Sequence, residues 1–295
     1  MKPFCPYCAL SPASSDHRSA ILRRGFFARK SDGQNLQRFY CQTCRRGFSH
    51  ATFNSSYRQN KRHLNEKLRK LLCSGVSQRR SAIILSVSKT TIERKVLFVA
   101  REAQLRFELD NAVAQPAERV QFDDQETFEH TKCKPLSITL AVENKKRRIL
   151  GFDVSTMAAN GHLAKIALKK YGPRKDTRKQ ARRALFKKLK PLMTSDVLLE
   201  SDQNPHYRPD VKKVLPEARH VTFKGQRGSS TGQGELKKVR FDPLFSLNHT
   251  FAMTRANINR LIRKTWCTTK KAERLLAHLY LYADFHNAIL LKSKI

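Results

Sequence analysis

Two short segments of this chain place a carboxylate at the end of an apolar, strand-like stretch. The first, Val120–Phe128, contains Asp123, and the second, Val197–Asp202, ends on Asp202. Because side chains alternate between the faces of a strand, Asp123 is expected on the face opposite its apolar neighbours. If the strands are neighbours, the two carboxylates form a seat for Mg²⁺ or Mn²⁺, which prefer oxygen ligands. The alternative is that each acid merely caps a strand end or a turn.

Four cysteines predict a second metal site of a different kind. They stand in two C-x-x-C pairs, Cys5 with Cys8 and Cys41 with Cys44. Four thiolates suit a tetrahedral Zn²⁺, which stabilises modules too small to fold on their core alone. Such a zinc ion would be structural, since no coordination position stays open. The alternative is four unrelated buried thiols, and the basic insert between the pairs is expected to form a hairpin.

The charge of the chain predicts a polyanionic partner. Its 59 Lys and Arg residues against 24 Asp and Glu residues give a net charge of +35. Ribosome-like RNA packing or an anionic membrane could use such charge, but neither needs the carboxylates, so nucleic acid is favoured. The paired cysteines indicate a reducing compartment. No signal peptide or membrane-spanning run is visible, so we expect a soluble intracellular protein without a membrane partner.

Residues 56–100 have the pattern of three helices separated by Gly-Val-Ser and Ser-Val-Ser breaks, which favours a helix-turn-helix over three ordinary packed helices. Ser88 is expected to cap the third helix. The expected core consists of Ile83, Ile84, Val87 and Ile92. The side chains expected to enter a major groove are Lys89, Thr90, Thr91 and Arg94.

A helical linker is expected over residues 101–117, followed by a mixed α/β region. Three consecutive strands are expected at Val120–Asp123, Ser137–Val142 and Ile149–Val154. Helix, strand, helix and strand then follow, an order in which the first and fourth strands are neighbours and Asp123 lies beside Asp202. A basic helical run lies between the acids and is expected to hold DNA backbone, although such runs are usually solvated helical faces. Its predicted DNA contacts are Lys175, Arg178, Lys179, Arg182 and Arg183.

Together these features resemble bacterial insertion-sequence transposases of the DDE class, in particular the type of the first-numbered enterobacterial insertion sequence. The resemblance rests on the motifs Phe122-Asp123-Asp124-Gln125 and Ser201-Asp202 and on the ending Arg255–Thr265. The expected fold is multidomain α+β. It comprises a zinc ribbon (1–55), an all-α helix-turn-helix domain (56–100), the helical linker (101–117) and an α/β ribonuclease H-like catalytic core with C-terminal helices (118–295).

The resemblance implies a DNA transposase in which Asp123 and Asp202 are the first two catalytic acids and bind Mg²⁺ or Mn²⁺. It implies double-stranded DNA partners, namely the terminal repeats of the element and target DNA, with Arg255 and Arg263 among the contacts. A homodimer on DNA is expected because two element ends must be handled. The implied location is the bacterial cytoplasm, in association with the nucleoid.

One position departs from the class that the chain resembles. A glutamate followed by an arginine should sit seven residues before Arg255, where this chain has Asn248 and His249. We expect Asn248 or His249 to replace the missing acid as a catalytic residue, with Glu235 as a further candidate. The alternative function is a catalytically inactive transposase-derived DNA-binding protein or repressor.

Overall fold

The structure, a computed structural model, describes residues 4–8, 20–30, 33–224, 242–262 and 267–292. The chain divides into two compact units, Met1–Lys67 and Leu68–Ile295, which are described separately. Helices and two β-sheets are both present. The expectation of a mixed α+β fold is therefore confirmed.

The first unit is built on a three-stranded antiparallel sheet. Its strands are β1 (Ile21–Ala28), β2 (Asn35–Cys41) and β3 (Arg46–Ser49), in the order β1-β2-β3. Strands β1 and β2 pair as a hairpin between the two cysteine pairs, as predicted. Phe39 and Phe48 stack with ring centroids 5.4 Å apart and form a small core with the cysteines. So few buried apolar side chains give little folding energy, which is typical of modules that need a metal.

Three helices lead into the second unit. They are α1 (Asn65–Leu72), α2 (Gln78–Ile84) and α3 (Lys89–Val113). The Ser88 hydroxyl accepts a hydrogen bond from the Thr91 N–H at 3.2 Å, so the predicted cap is confirmed. Ile92 is fully buried, but Ile83 and Ile84 are 73% and 59% exposed, so their prediction as core residues is wrong. The helical phase of α2 turns Ala82 inward instead.

Helix α3 is one continuous helix of 25 residues. Nothing interrupts it near residue 101, because the segment 96–113 contains neither Gly nor Pro. Up to Val113 the predicted linker is therefore the second half of the helix that begins at Lys89. Asp284 fixes this half, since its carboxylate accepts from Arg106 at 2.8 Å and from Arg69 at 2.9 Å.

A five-stranded sheet forms the centre of the second unit. Its strands are β4 (Ala117–Phe128), β5 (Pro135–Glu143), β6 (Ile149–Thr156), β7 (Met193–Asp202) and β8 (Arg219–Phe223). The strand order is β6-β5-β4-β7-β8. The first three strands pair antiparallel, whereas β7 pairs parallel to β4 and β8 pairs parallel to β7. The prediction that the first and fourth strands are neighbours is confirmed.

Helices cover both faces of this sheet. They are α4 (Leu163–Tyr171), α5 (Arg178–Leu189), α6 (Tyr207–Val214), α7 (Phe245–Asn257) and α8 (Ala272–Phe285). Phe122 of β4 packs in one cluster with Leu185 of α5 and Tyr207 of α6. Leu140 of β5 packs in another with Leu247 of α7 and with residues of α3 and α8. Within the described part of the chain, no helix is long and apolar enough to cross a membrane.

Candidate functional site

Asp123 and Asp202 lie on neighbouring parallel strands at matching positions. The β4–β7 ladder pairs Gln121 with Glu200, and two residues further along each strand are Asp123 and Asp202. Both aspartates therefore lie on the face of their strands that carries Gln121 and Glu200. Adjacent strands lie about 4.8 Å apart, so the two carboxylates stand side by side at the end of β7.

The Asp123 carboxylate is held by hydrogen bonds on one oxygen only. Its Oδ1 accepts from the Tyr207 hydroxyl at 2.7 Å and from the Asp124 N–H at 2.7 Å. The Oδ1 of Asp202 accepts from the Asn204 N–H at 2.9 Å. From the described residues, no hydrogen bond or ion pair reaches Oδ2 of either aspartate. One oxygen of each carboxylate is thus left for an external ligand.

Asp123 is also electrostatically strained. Burial, together with the negative charges of Asp202 and Asp124, raises its pKa to about 6, although the Tyr207 hydrogen bond acts in the opposite direction. A divalent cation between the two aspartates would remove the repulsion that raises this pKa. The donor set, two carboxylate oxygens on fixed strands, suits a hard cation such as Mg²⁺ or Mn²⁺.

Tyr207 is a site residue that the sequence did not reveal. It is the first residue of α6 and is fully buried. Its ring lies 5.1 Å from that of Phe122 and 4.9 Å from the Arg182 guanidinium. Burial and the charges of Asp124 and Asp123 hold its pKa far above the ordinary value, so its hydroxyl stays protonated and donates to Asp123. A single tyrosine 84 residues from its partner forms no motif.

A buried polar network lies directly below the aspartate pair. Gln121 donates to Glu200 at 3.0 Å and to the Pro243 carbonyl at 2.7 Å, and accepts from the Leu247 N–H at 3.0 Å. This side chain therefore ties β4 to β7 and to the first turn of α7. Glu200 also accepts from Arg119 at 2.6 Å, so its buried charge is paired.

The structure gives the predicted replacements for the missing glutamate other partners. Asn248 lies in the first turn of α7 and is exposed. Its Nδ2 donates to Asp242 Oδ2 at 2.8 Å, and no hydrogen bond joins it to Asp123 or Asp202. His249 lies against Arg147 of the β5–β6 turn, with Nη1 3.1 Å from its Nδ1. Glu235 lies outside the described residues, as does nearly all of the glycine-rich loop that contains it.

The cysteine prediction is confirmed at the level of geometry. The Sγ atoms of Cys5, Cys8, Cys41 and Cys44 lie within 4.8 Å of one another, and the described residues contain no other such group of three or more His, Cys, Asp or Glu ligands. The Cys5–Cys44 and Cys8–Cys41 separations are 3.6 and 3.7 Å. A tetrahedral zinc with Zn–S bonds of about 2.3 Å separates its sulfurs by roughly 3.8 Å. The cluster can therefore bind a structural metal such as zinc.

One thiol of the cluster is already predisposed to ionise. Burial raises the pKa of Cys41, but hydrogen bonds from the Cys44 N–H and the neighbouring thiols outweigh this and lower it to about 6. Since thiolates are the form that binds metal, this supports the same assignment.

Most of the predicted DNA contacts are at the surface. Lys89, Thr90 and Arg94 are exposed at the start of α3, where Thr91 is half-buried. Lys175, Lys179 and Arg255 are exposed too. Arg178 donates to Asp176 at 2.6 Å and Arg183 to Asp210 at 2.6 Å. Arg263 lies outside the described residues.

Arg182 requires a correction. It is only 3% exposed, and its guanidinium donates to Asp210 and, at 3.2 Å, to Asp124. A buried guanidinium with two carboxylate partners does not reach a DNA phosphate. Arg182 instead holds α5 and α6 against the strand that carries Asp123.

No protein-family model matches this chain, and no curated protein matches it either. The functional argument therefore rests on the geometry of the two sites.

Removing a cysteine ligand should release the zinc. We expect the full-length protein to contain one zinc ion per chain and Cys41→Ser to lose it, with unfolding of the first unit, because the core of that unit is too small to fold alone. Elemental analysis and limited proteolysis measure both effects. Cys133→Ser, at a half-buried cysteine outside the cluster, should keep its zinc. Full zinc content in Cys41→Ser would contradict the assignment.

Neutralising Asp123 should stabilise the protein in the absence of Mg²⁺ and Mn²⁺. With a pKa of about 6 in the folded state against 3.8 normally, the ionised carboxylate costs stability above pH 6. Asp123→Asn should therefore gain at most about 3 kcal/mol at pH 8, and the gain should fade below pH 6 and vanish below about pH 4. Urea unfolding across this pH range measures the gain. Asp196→Asn, at an exposed acid of β7, should show none. Lower stability of Asp123→Asn at pH 8 would refute the electrostatic account.

Tyr207→Phe should weaken metal binding by raising the proton affinity of Asp123 further. The lost hydrogen bond favours the charged carboxylate, so the pH at which Mn²⁺ binding is half-maximal should move upward, with affinity at pH 7 lower by about tenfold. Calorimetric titration with Mn²⁺ at several pH values measures the shift. Tyr282→Phe, which removes a hydroxyl from another fully buried tyrosine, should leave it unchanged. Identical pH profiles for Tyr207→Phe and the wild type would exclude this role of the hydroxyl.

Proposed function

We propose that this protein is a metal-dependent DNA transposase of an insertion sequence, which cuts and rejoins phosphodiester bonds at the ends of its own element. One observation carries the proposal. Asp123 and Asp202 occupy matching positions on neighbouring parallel strands, and no Lys, Arg or His among the described residues pairs with either. Such a site needs a cation from outside the protein.

The topology of the sheet supports the same proposal. An antiparallel meander followed by two parallel strands, in the order β6-β5-β4-β7-β8, is the arrangement expected of a ribonuclease H-like core. We infer that residues 118–295 form such a core. Fold alone does not define activity, so the argument for catalysis depends on the two carboxylates.

The residues of the chain then have distinct roles in the proposed reaction. Bound Mg²⁺ or Mn²⁺ would activate water or a 3′-hydroxyl and stabilise the leaving oxygen. Asp123 would bridge the ions through the oxygen that Tyr207 leaves free, and Asp202 would hold one ion. Tyr207 keeps the Asp123 carboxylate in one orientation. The network of Gln121 and Glu200 fixes the strand spacing and the start of α7.

Double-stranded DNA is the proposed partner. The net charge of +35 supports binding to phosphate backbone with strong salt dependence. The exposed start of α3, with Lys89, Thr90 and Arg94, suits base reading in a major groove. We propose that the zinc ribbon and this helix recognise the terminal repeats, while basic residues such as Lys175 and Lys179 hold DNA without sequence preference. This function would place the protein in the bacterial cytoplasm, near the nucleoid.

A second candidate function is a transposase-derived DNA-binding protein or repressor without catalytic activity. The specific observation in its favour is the contact of Asn248 with Asp242. Within the described residues, no third Asp, Glu or His completes a metal-ligand group with Asp123 and Asp202. Two carboxylates and neutral ligands hold Mg²⁺ more weakly than three carboxylates do.

Strand cleavage of labelled duplexes that carry the element ends separates the two functions. We expect cleavage or joining with Mn²⁺ or Mg²⁺, and a loss of at least 100-fold in Asp123→Asn and Asp202→Asn, because each removes a charged metal ligand. DNA binding by these variants should persist, and Asp196→Asn should cleave like the wild type. If the wild type and Asp123→Asn behave alike with both metals, the enzyme proposal fails and the DNA-binding alternative stands.

A further inference from the structure

The second half of α3 carries an apolar line on its outward face. Leu105, Leu109 and Val113 follow one another at intervals of four residues and are 57%, 63% and 75% exposed. We call these three residues the α3 stripe. Residues four apart lie on one side of a helix, and the opposite side of α3 is buried through residues such as Ala103 and Phe107. The stripe is therefore the surface that α3 does not use in folding.

The charge around the α3 stripe differs from that of the rest of the chain. Residues 101–113 contain two arginines against two glutamates and one aspartate, a net charge of 2 − 3 = −1, whereas the whole chain carries +35. DNA is not attracted to an apolar surface of this charge. A second copy, which the net positive charge repels elsewhere, can approach here.

The flanks of the α3 stripe can pair with themselves. At 100° per residue, Glu102 and Arg106 lie on one flank of the stripe, whereas Arg101 and Glu108 lie on the other. In two antiparallel helices related by a twofold axis, like flanks meet. Each flank therefore offers an arginine and a carboxylate to the same pair in the other copy. Arg106 remains available, because 48% of its side chain is exposed although it binds Asp284.

An apolar cleft of about 320 Å³ opens beside this helix, between α3, β6, α5 and α8. Glu108 and Asn111 are among its lining residues, so it is continuous with the Arg101–Glu108 flank. Apolar side chains make up most of the lining, namely Phe107, Leu150, Phe152, Leu185, Leu189 and Tyr280. The cleft adds apolar surface that three side chains alone do not supply, and a stable interface needs roughly 800 Å² from each partner.

We propose that the α3 stripe and the adjoining cleft bind the same surface of a second copy of this chain, with the two α3 helices antiparallel across a twofold axis. The inference rests on the proposed function only for its purpose, since cutting both ends of an element requires two DNA-binding heads. Lys89 lies 16 residues before Leu105, or about 24 Å along the helix. The antiparallel pairing therefore points the two N-terminal ends of α3 away from each other, each toward its own DNA.

Sedimentation equilibrium of the zinc-loaded full-length protein, without DNA, tests the proposal. We expect a dimer whose dissociation constant rises at least roughly 30-fold in Leu109→Arg, the effect of a central interface residue. Leu168→Arg changes a leucine of similar exposure, 59%, on α4 and should leave the dimer intact. Arg101→Glu should weaken the dimer, and the double variant Arg101→Glu/Glu108→Arg should restore it, because the two charges exchange places across the axis.

Two results would overturn the proposal: a wild type that remains monomeric at 100 µM, or a Leu109→Arg variant as dimeric as the wild type. The outcome is independent of the catalytic proposal. Asp123→Asn should remain a dimer, and Leu109→Arg should bind Mn²⁺ at the aspartate pair with unchanged affinity. If strand cleavage fails while Leu109→Arg still becomes monomeric, the interface stands and only the enzyme proposal falls.

Discussion

The repulsion between Asp123 and Asp202 is the constraint around which the second unit is organised. Parallel pairing of β4 with β7 puts two carboxylates side by side, and burial raises the pKa of Asp123 to about 6. Without a cation this arrangement costs folding energy. It persists because Tyr207 donates to Asp123 from one side of the sheet while Gln121 ties both strands to α7 on the other. Strain held in place by its surroundings is typical of sites that bind a ligand.

The other buried carboxylates show how unusual this pair is. Each of them is neutralised by an arginine: Glu143 by Arg148, Glu200 by Arg119, Asp210 by Arg182, and Asp284 by Arg69 and Arg106. In a chain with 59 Lys and Arg residues, a cationic partner is easily found. Among the described residues, Asp123 and Asp202 form no ion pair, so the charge balance at this edge of the sheet is left to a bound metal.

Local patterns predicted the parts of this structure that depend on neighbours in sequence. The cysteine pairs, the Ser88 cap and the order of strands that brings Asp123 next to Asp202 all follow from spacing and alternation. Contacts between distant residues were not predictable. Tyr207 looked like a turn residue, and Arg182 looked like its basic neighbours, because only the packing of α5 on α6 and β4 distinguishes it. The phase of α2, which exposes Ile83 and Ile84, is likewise set by packing.

The central claim is that Asp123 and Asp202 jointly bind a divalent cation, and an anomalous-difference map from crystals soaked in Mn²⁺ tests it most directly. The account predicts a peak within about 2.2 Å of Oδ2 of both aspartates, since Mn²⁺ binds carboxylate oxygen at this range. The Tyr207 hydroxyl should still donate to Asp123 Oδ1. An empty position at saturating Mn²⁺, or an ion held by other residues with the two aspartates apart from it, would contradict the account.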